Sequence, residues 1–570
     1  MAAKSLFTVK NTINKLKQSS KYATAIRTHS VWTEDKVIKS PYEKVNIPHC
    51  TLNDYMWQNL DRWPQKTVSV CAVSGRGYSY EDAFKLSHNF AANLRIKFKI
   101  RDGDTVAIML PNVPDFPLIA LGILEAGGVI TTINPMYTAH EVQRQLIMSE
   151  SKAIVTLPEL VPVMVEALRL AKLTIPIITV RSDDGPAPQG TVLFNELSED
   201  VYVDKSCLKK VRRDMNDICF LPYSSGTTGL HKGVELTHKN IIANIEQINE
   251  PLIACHNETT ATHQDVVMAV LPFFHIYGAT VIMFHKMSVG AKLVTLSKFQ
   301  PETYLQALQK HRTNVVMVAP PLMLLMASHP AATEKTFEHL EILVSGAAPL
   351  GAGDVERLFH RAKKEMDFRQ GYGLTETSPT VTLSPKGDKQ YGKTGAPIPS
   401  TELRIVDQDL NNLGPNETGE ILIRGPQVMR GYRDNPQANS ETMLPGGWYR
   451  SGDLGHVDED GTLTIADRLK ELIKVKGFQV APAELEAIVR EHPSVDDAAV
   501  IGVPHPTKGE TPKVFVVLKN NKTCSDEEIK EHVNKRVAVF KQVDDINFVE
   551  AIPKSASGKI LRRVLKENYS

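Results

Sequence analysis

The sequence predicts an α/β protein in which a large domain of parallel α/β subdomains, with a small barrel-like β element, precedes a small α+β domain. Short β-branched runs alternate with helical patterns through most of the chain, which is typical of mostly parallel sheets. From about residue 400 the pattern changes to strands separated by tight turns. The chain has 570 residues, too many for one ordinary domain.

The predicted strands of the large domain are short runs rich in valine and isoleucine, with helical patterns between several of them. The helix in "PDFPLIALGILEAGG" is expected to end at its paired glycines. The strand candidates read "TVAIML", "KAIVTL", "PIITV", "AKLVTL", "NVVMVA" and "EILVSGA", and further helix candidates read "TYLQALQKH" and "AGDVERLFHRAKKE".

Three later segments, "ELRIVDQDLNNLG", "GEILIRG" and "GTLTIADR", predict the strands of the barrel-like element. Near the end, "ELEAIVREHP", "DAAVIGVP", "KVFVVLK" and "SDEEIKEHVNKRV" predict a compact α+β unit. We therefore expect a basic N-terminal extension at 1–40, a large domain at 41–469 and a C-terminal domain at 470–570.

Composition excludes several classes of protein. A net charge of +1 and a pI near 7.7 leave no global field that favours nucleic acid or an anionic membrane surface. No apolar run approaches the roughly 18 residues of a membrane span. The six cysteines are scattered without the spacing of a zinc site, which is typical of a reducing compartment.

Residues 1–33 differ from the rest of the chain because they are basic, rich in serine and threonine, and free of acidic residues before Glu34. Leu6, Val9, Ile13 and Leu16 fall on one helical face. This pattern favours a mitochondrial transit peptide, and the alternative is a disordered basic tail on a cytoplasmic protein. The last residues, "ENYS", are not a peroxisomal address of the Ser-Lys-Leu type.

The stretch "YSSGTTGLHKGVELTHKN", residues 223–240, concentrates glycines, small hydroxyl side chains and the cation of Lys232. A glycine loop that follows a strand can turn its backbone N–H groups towards one anion, so a polyphosphate is the expected ligand. The loop is not a P-loop, because His231 stands where the Walker A pattern needs its second glycine. Taken alone, the stretch could also be a mobile hinge.

Four more stretches accompany this loop: "RQGYGLTETSP", "YRSGDLG", "DRLKELIKVKGFQVAPAELE" and "PKSASGKILRR". Together they resemble the adenylate-forming superfamily, which includes acyl-CoA synthetases, 4-coumarate–CoA ligases and firefly luciferases. The resemblance runs from about residue 45 to the C-terminus. It implies an AMP-forming acid–thiol ligase that uses ATP, Mg²⁺ and CoA and forms an acyl-adenylate before the thioester.

By this resemblance, the loop grips the β- and γ-phosphates of ATP. The residues concerned are Ser224, Ser225, Gly226, Thr227, Thr228, Gly229 and Lys232. Thr375 contacts phosphate and Glu376 helps to hold Mg²⁺, although a lone Thr-Glu pair would be interpreted as a helix cap. The superfamily loop usually reads Gly-Leu-Pro-Lys-Gly, so His231 is a departure that we expect to loosen the loop.

The resemblance also implies the nucleoside contacts. Tyr372 stacks on adenine, with Ala348, Gln370 and Gly371 nearby. Asp453 binds the ribose hydroxyls, which suits a carboxylate acceptor, and Arg468 assists at the ribose or the phosphates. Without the other motifs, Asp453 would be interpreted as an ordinary turn residue.

The C-terminal domain carries the remaining expected residues. Lys559, in "SASGKI", reaches the α-phosphate and the carboxylate during adenylation. Because this lysine lies in a separate small domain, the resemblance implies that the domain moves, with a hinge at Lys470. The opposite face of the domain then supplies the residues for thioester formation. These are Lys474, Lys476, Gly477 and Gln479, with Lys298 as a further contact for a CoA phosphate.

The segment "VLPFFHIYGATVIMFHKM" matches the acyl-pocket wall of the superfamily. His275 is placed at the junction of the acyl and CoA channels, although a buried core histidine is the ordinary interpretation. Tyr277 lines the acyl site, as do the small residues Gly346, Ala347 and Gly373. The Leu and Met side chains of "APPLMLLMASHP" are expected to line it as well.

The substrate follows from what this region lacks. No acidic residue occurs between positions 266 and 302, so an α-ammonium would be buried without a partner and amino acids are disfavoured. In acetyl-CoA synthetases a tryptophan of the matching motif closes the pocket. This chain has the small residues Gly371 and Gly373 in that region, so its pocket is expected to be open to a longer apolar tail. We therefore predict a medium-chain or longer fatty acid first and an arylpropenoate second. A luciferase-type oxygenase and a non-catalytic nucleotide- or acyl-binding protein are the alternatives.

Overall fold

A computed structural model describes residues 31–181, 186–224, 232–348, 350–468, 471–475, 478–505, 508–537, 539–555 and 558–569. These residues form the predicted α/β fold, with two large, mostly parallel sheets, an antiparallel sheet and a separate C-terminal sheet. Within this part of the chain, no helix is both long and apolar enough to cross a bilayer. Residues 1–30 lie outside it, so mitochondrial targeting stays a prediction.

The first sheet has nine strands, and its centre is parallel because helices cross over between the strands. Lys232–Thr237 runs antiparallel to its neighbours on one side of the sheet and also pairs with Gly431–Tyr432. Apart from Gly431–Tyr432, the strands follow one another in the sheet in this order: Tyr223–Ser224, Lys232–Thr237, Ile218–Phe220, Val129–Thr132, Thr105–Met109, Ala153–Thr156, Ile177–Thr179 and Thr191–Leu193.

The second sheet also has nine strands, with six parallel strands in the middle and antiparallel pairs at both edges. Its central strands are almost fully buried, which agrees with their runs of Val, Ile and Leu. In order the strands are Ala396–Pro397, Thr380–Leu383, Asp367–Gly373, Ile342–Ser345, Val315–Val318, Val266–Ala269, Lys292–Thr295, Thr67–Cys71 and Gly77–Ser79.

The predicted barrel-like element is an antiparallel sheet of six strands. Its longest strand, Trp448–Val457, has a register shift between Leu454 and Gly455. Asp453 belongs to this strand, so it is not the ordinary turn residue that the sequence offered as an alternative interpretation. The other strands are Ile38–Lys39, Glu402–Val406, Gly419–Arg424, Met443–Leu444 and Leu463–Arg468.

The C-terminal sheet has its own apolar core of valines, leucines and isoleucines. A long hairpin joins Val495–His505 to Gly509–Leu518, and the strands Ile473–Val475, Phe478–Val480 and Asp545–Phe548 complete the sheet. The antiparallel sheet ends at Arg468 and this sheet begins at Ile473, on either side of the predicted boundary near residue 470. The boundary itself stays a prediction, because residues 469–470 lie outside the described part.

The helices cover the faces of these sheets. The α-helices of the large domain are Leu52–Trp57, Tyr80–Ile96, Phe116–Glu125, Ala139–Ser149, Val161–Ala171, Phe194–Ser198, His238–Ile248, His285–Ser288, Pro301–Lys310, Pro320–Ser328, Ala352–Ala362 and Pro436–Thr442. Those of the C-terminal domain are Pro482–Arg490, Asp526–Asn534 and Arg562–Tyr569. Short 3₁₀ turns include Thr375–Thr377.

Residues Tyr277–Phe284 form a π-helix that continues into the α-helix His285–Ser288. Every residue from Gly278 to Phe284 is buried, so the segment packs against protein on all sides. π-Helical turns are rare and often mark functional sites. This one lies beside the carboxyl ends of the second sheet, where ligands bind in open α/β sheets.

The glycine loop is followed by the strand Lys232–Thr237, and Thr237 then caps the helix His238–Ile248. One detail of the prediction was wrong. The helix Pro320–Ser328 does not supply the acyl-pocket wall. Leu322, Met323 and Met326 instead pack into the core on the other face of the second sheet.

Candidate active site

A cleft that opens to solvent lies at the carboxyl ends of the strands Val315–Val318, Ile342–Ser345 and Asp367–Gly373. The π-helix forms its other wall. The predicted residues that line it are His275, Tyr277, Gly346, Ala347, Gly371, Tyr372, Gly373, Thr375 and Lys559. Side chains separated by up to 284 positions in the chain, His275 and Lys559, therefore line one cleft.

His275 stands just before the π-helix, and its Nδ1 accepts a hydrogen bond from the backbone N–H of Tyr277 at 3.3 Å. Burial, and then the positive charge of Lys559, lower the pKa of His275 to about 3. The imidazole is therefore neutral at physiological pH. It can donate or accept a hydrogen bond there but adds no charge.

Lys559 reaches the cleft on a tight turn of the C-terminal domain. The Ser555 N–H donates to the Lys559 carbonyl at 2.8 Å, and the Gly558 N–H donates to the Ser555 carbonyl at 2.8 Å. Gly558 has a φ of +82°, and a Cβ added there would lie 3.1 Å from Ala319 Cβ and from Pro321 Cδ. A glycine therefore lets this turn dock against the large domain, with the lysine directed into the cleft.

The expected nucleoside residues also meet in space. The Tyr372 hydroxyl donates to Asp453 Oδ2 at 2.7 Å, although the two residues are 81 positions apart. Asp453 is almost fully buried and pairs with Arg468 across two strands of the antiparallel sheet. Gln370 lies two residues before Tyr372 on the same strand, and Ala348 lies in the bend after Ile342–Ser345; neither lines the cleft. One nucleoside could contact both Tyr372 and Asp453.

Glu376 is a buried carboxylate at the phosphate side of this region. Its Oε1 accepts a hydrogen bond from the Tyr432 hydroxyl at 2.9 Å, and the ammonium of Lys232 lies 4.9 Å from the centre of the Tyr432 ring. No cluster of three or more metal-ligating side chains occurs among the described residues. A single carboxylate beside a phosphate site nevertheless fits Mg²⁺, which is usually held by one or two carboxylates and substrate phosphates.

The ends of the glycine loop are brought together in a hairpin, where Ser224 pairs with Lys232. Several predicted residues lie outside the described residues: Ser225, Gly226, Thr227, Thr228, Gly229, Lys470, Lys476 and Gly477. The same holds for His231 and for the side chains of Arg468, Lys474 and Gln479. Lys298 is exposed in a bend and does not line the cleft. The roles of these residues stay predictions.

Three residues of the site were not predicted from the sequence. Tyr432 joins Glu376 to Lys232, but it lies in no recognised motif. His285 and Lys286 line the cleft, although the segment that contains them had been interpreted as an apolar wall. The sequence did contain an indication of a site at Lys286. A lysine within a run of buried apolar residues is unusual, because lysine is almost never fully buried unless its charge is paired.

The cleft has two distinguishable ends. The head end contains His275, Thr375 and Lys559, and the charge of Lys559 acts on His275. The tail end contains Cys255, His285 and Lys286, and the titratable or charged groups that act on Lys286 are those of Cys255, Asp265 and Arg369. The π-helix runs from the head end to the tail end.

Two family models match the chain, "AMP-binding enzyme" over residues 56–433 and "AMP-binding enzyme C-terminal domain" over residues 484–559. The chain belongs to the adenylate-forming superfamily. Among curated proteins it is 36% identical to 4-coumarate–CoA ligase 1 of Arabidopsis thaliana over 93% of this chain and 95% of that protein. It is 37% identical to 4-coumarate–CoA ligase 2 of Petroselinum crispum, over 94% and 97% of the two chains.

Solved structures agree with this family. ATP-bound MatB from Rhodopseudomonas palustris is 26% identical and superposes with a TM-score of 0.80, over 92% of this chain and 99% of that chain. Apo MatB, with the same identity and coverage, has a TM-score of 0.71. The whole chain thus superposes more closely on the ATP-bound form than on the apo form. The predicted class, an AMP-forming acid–thiol ligase dependent on ATP, Mg²⁺ and CoA, is confirmed at the level of the family.

Proposed function

We propose that the protein is an acid–CoA ligase for a carboxylic acid of limited length with an apolar body, either a medium-chain fatty acid or an arylpropenoate. The observation that carries this proposal is the meeting of Lys559, His275 and Thr375 at the head end of a cleft that continues between the π-helix and the glycine-rich strand ends. The cleft thus has a polar end for the reacting groups and a long wall for the rest of the acid.

In the first half-reaction, the acid's carboxylate attacks the α-phosphorus of ATP and pyrophosphate leaves. Two anions must approach each other, and charge builds up on the phosphoryl oxygens, so cations and N–H donors aimed at these atoms lower the barrier. Lys559 supplies such a cation at the head end. Glu376 would help to hold Mg²⁺, and this ion would supply positive charge that offsets the charge of the pyrophosphate.

In the second half-reaction, the CoA thiol attacks the acyl carbon and AMP leaves. Lys559 occupies the head end in the arrangement seen here, so we infer that the C-terminal domain turns away before the thiol approaches. The face with Lys474, Lys476, Gly477 and Gln479 then comes to the cleft. His275 is uncharged because burial lowers its pKa, so it can form a hydrogen bond to the incoming thiol or to the carboxyl oxygen as a neutral imidazole.

The acid's body lies along the cleft, beside Tyr277 and the two glycine-containing strand ends. A Cβ added at Gly346 would lie 3.2 Å from the Tyr277 ring, so the glycine allows this close contact between the walls. At the tail end, His285 and Lys286 are fully buried, and a chain that extended past them would have to displace core side chains. This closed end favours medium-sized acids over long-chain ones.

Two acid classes have separate support. The apolar wall from Ile276 to Val281 suits an aliphatic chain, as the sequence predicted. The named activity of the curated relatives, 4-coumarate–CoA ligases at 36–37% identity over nearly the whole chain, favours an arylpropenoate. Both classes have one carboxylate and an apolar body of similar length.

The test is thioester formation by the purified protein with ATP, Mg²⁺ and CoA. The acids are hexanoate, octanoate, palmitate, cinnamate and 4-coumarate, with Lys559→Ala as the control. We expect AMP and an acyl-CoA from octanoate or an arylpropenoate, with a higher kcat/KM than palmitate gives. Acyl-AMP without any thioester would contradict the ligase proposal, and a preference for palmitate would contradict the limit on length.

A further inference from the structure

Lys286 is a fully buried lysine that lines the tail end of the cleft. It belongs to the helix His285–Ser288, which continues the π-helix. Lysine is almost never fully buried unless its charge is paired. No step of the proposed reaction uses this side chain, so its position needs an explanation of its own.

The partners of Lys286 do not balance its charge. Its Nζ donates to the Cys255 carbonyl at 2.6 Å, and no other hydrogen bond or ion pair of this ammonium occurs among the described residues. Asp265 influences it electrostatically but is already occupied, because it accepts hydrogen bonds from the Asn257 backbone, from Asn314 and from His263. Two of the three ammonium protons therefore lack an acceptor in the described part of the chain.

A purely structural role explains this arrangement poorly. A buried charge held by one carbonyl leaves most of its desolvation cost uncompensated, whereas a methionine or leucine would fill the same space without that cost. Lys286 also contributes to the lining of a cleft, so it does not belong only to a sealed core. An oxygen of a bound ligand at the tail end would complete its hydrogen bonds.

The neighbouring side chains do not duplicate this charge. His285 Nε2 lies 2.8 Å from Asn249 Oδ1, and the His256 ring packs edge-on against His285 with ring centres 5.4 Å apart. Burial lowers the pKa of both histidines, that of His256 to about 4, so both rings are neutral at physiological pH. Burial also lowers the pKa of Lys286, but only to about 8, so its ammonium form predominates.

The distance between the two ends suits one medium-sized acid. Lys286 follows Tyr277 by nine positions, which corresponds to at most about 13 Å along the helix axis at the rise of an α-helix. An acid whose carboxylate lies beside His275 and Lys559 would thus place the atoms at its other end near Lys286.

We propose that the preferred acid carries an oxygen acceptor at the end opposite its carboxylate, and that Lys286 donates a hydrogen bond to this oxygen. This inference rests on the proposed ligase function and narrows its substrate class. The oxygen belongs to a carboxylate, a hydroxyl or a phenol, which share the ability to accept from an ammonium. A tail carboxylate would gain most, because it also compensates the buried charge.

The experiment compares matched acids in the CoA-thioester assay with the full-length protein. One series is octanoate, ω-hydroxyoctanoate and octanedioate, and the other is cinnamate and 4-coumarate. In the wild type we expect kcat/KM for an oxygenated member of at least one series to exceed that of its parent by roughly tenfold or more, as a charged hydrogen bond implies. This wild-type comparison needs no variant and is decisive even if a variant fails to fold.

Lys286→Met keeps the length of the side chain and removes the donor, so the ratio of oxygenated to parent acid should fall to about one. The matched control is Lys310→Met, because Lys310 also donates to a backbone carbonyl, that of Ala72, but lies outside the cleft lining. The control should keep the wild-type ratio.

Three outcomes separate the two proposals. If the wild type prefers neither oxygenated series, or if Lys286→Met keeps the preference, this inference is wrong while the ligase function stands. If no acid of either series yields a CoA thioester, the ligase function itself fails. A collapse of the ratio in Lys286→Met alone supports both.

Discussion

Two lysines line the same cleft in opposite ways. Lys559 comes from the C-terminal domain on a glycine-containing turn and is partly exposed. Lys286 comes from a helix of the large domain and is fully buried. A cation on a separate domain can leave when the chemistry changes, whereas a cation fixed in the core stays with the acid throughout. The head end is therefore suited to a transient charge and the tail end to recognition.

The largest expected effect tests the head end. Lys559→Ala removes the cation beside His275 and should slow adenylation by roughly a hundredfold to a thousandfold, the usual effect of removing one group that stabilises developing charge. Formation of acyl-CoA from supplied acyl-AMP should be largely spared. Single-turnover pyrophosphate release and acyl-AMP consumption measure the two half-reactions.

If Lys559→Ala slowed both half-reactions equally, the proposal that Lys559 acts only in adenylation would be contradicted. Lys554→Ala is a suitable control, because Lys554 lies on the same segment but pairs with Asp497 within the C-terminal domain. We expect this control to leave the ratio of the two half-reactions unchanged.

The next effect concerns the carboxylate beside the head end. Glu376→Gln should raise the Mg²⁺ concentration for half-maximal adenylation by roughly a hundredfold, because a neutral amide is a poor ligand for Mg²⁺. Tyr432→Phe removes only the hydrogen bond that orients Glu376 and should raise it roughly tenfold. A magnesium titration of pyrophosphate release is the measurement. If Tyr432→Phe changed kcat but not the magnesium requirement, Tyr432 would not act through Glu376.

A smaller effect tests how Lys559 is delivered. Gly558→Ala places a Cβ against Ala319 and Pro321 and strains a left-handed backbone position by about 1–2 kcal/mol, so adenylation should slow by about tenfold while thioester formation from acyl-AMP is spared. Gly75→Ala is the matched control, since Gly75 also has a positive φ but open space around it. A comparable loss of adenylation in Gly75→Ala would show that general destabilisation, rather than docking, is the cause.

The head end was largely predictable from the sequence and the tail end was not. His275, Thr375 and Lys559 lie within the motifs by which the sequence resembles the superfamily. Lys286 and Tyr432 lie in no motif, and their importance depends on which groups the fold brings near them. Only the structure shows that Asp265 is occupied by other donors or that Tyr432 links Glu376 to Lys232.

The fold, too, was predictable from the sequence only in part. Periodicity predicted the parallel strands well, because a strand buried on both faces needs a continuous run of apolar residues. It could not distinguish which apolar helix lines the cleft. The Leu and Met residues of Pro320–Ser328 looked suitable, but they face the core, and the cleft wall is the π-helix Tyr277–Phe284. A π-helix has no simple sequence signature, since its residues would equally suit a buried α-helix.

The smallest expected effect is a difference in pH dependence between the two ends. Lys286 has a pKa lowered from its usual value to about 8 by burial, and the charged or titratable groups around it are Cys255, His256, Asp265, His285 and Arg369. Its ammonium is therefore present below about pH 8 and lost above it. His275, with a pKa near 3, does not change its charge between pH 5 and 9.

The preference for a tail-oxygenated acid over its parent should thus fall by roughly threefold between pH 7 and 9, because a neutral amine still donates but no longer attracts an anion. Since kcat/KM reports ionisations of the free enzyme, the ratio of kcat/KM values for octanedioate and octanoate is the measurement, and it cancels any ionisation that both acids share. Lys286→Met should show a flat ratio. A decline centred near pH 6.5 instead, in the wild type, would assign the tail preference to a histidine rather than to the buried lysine.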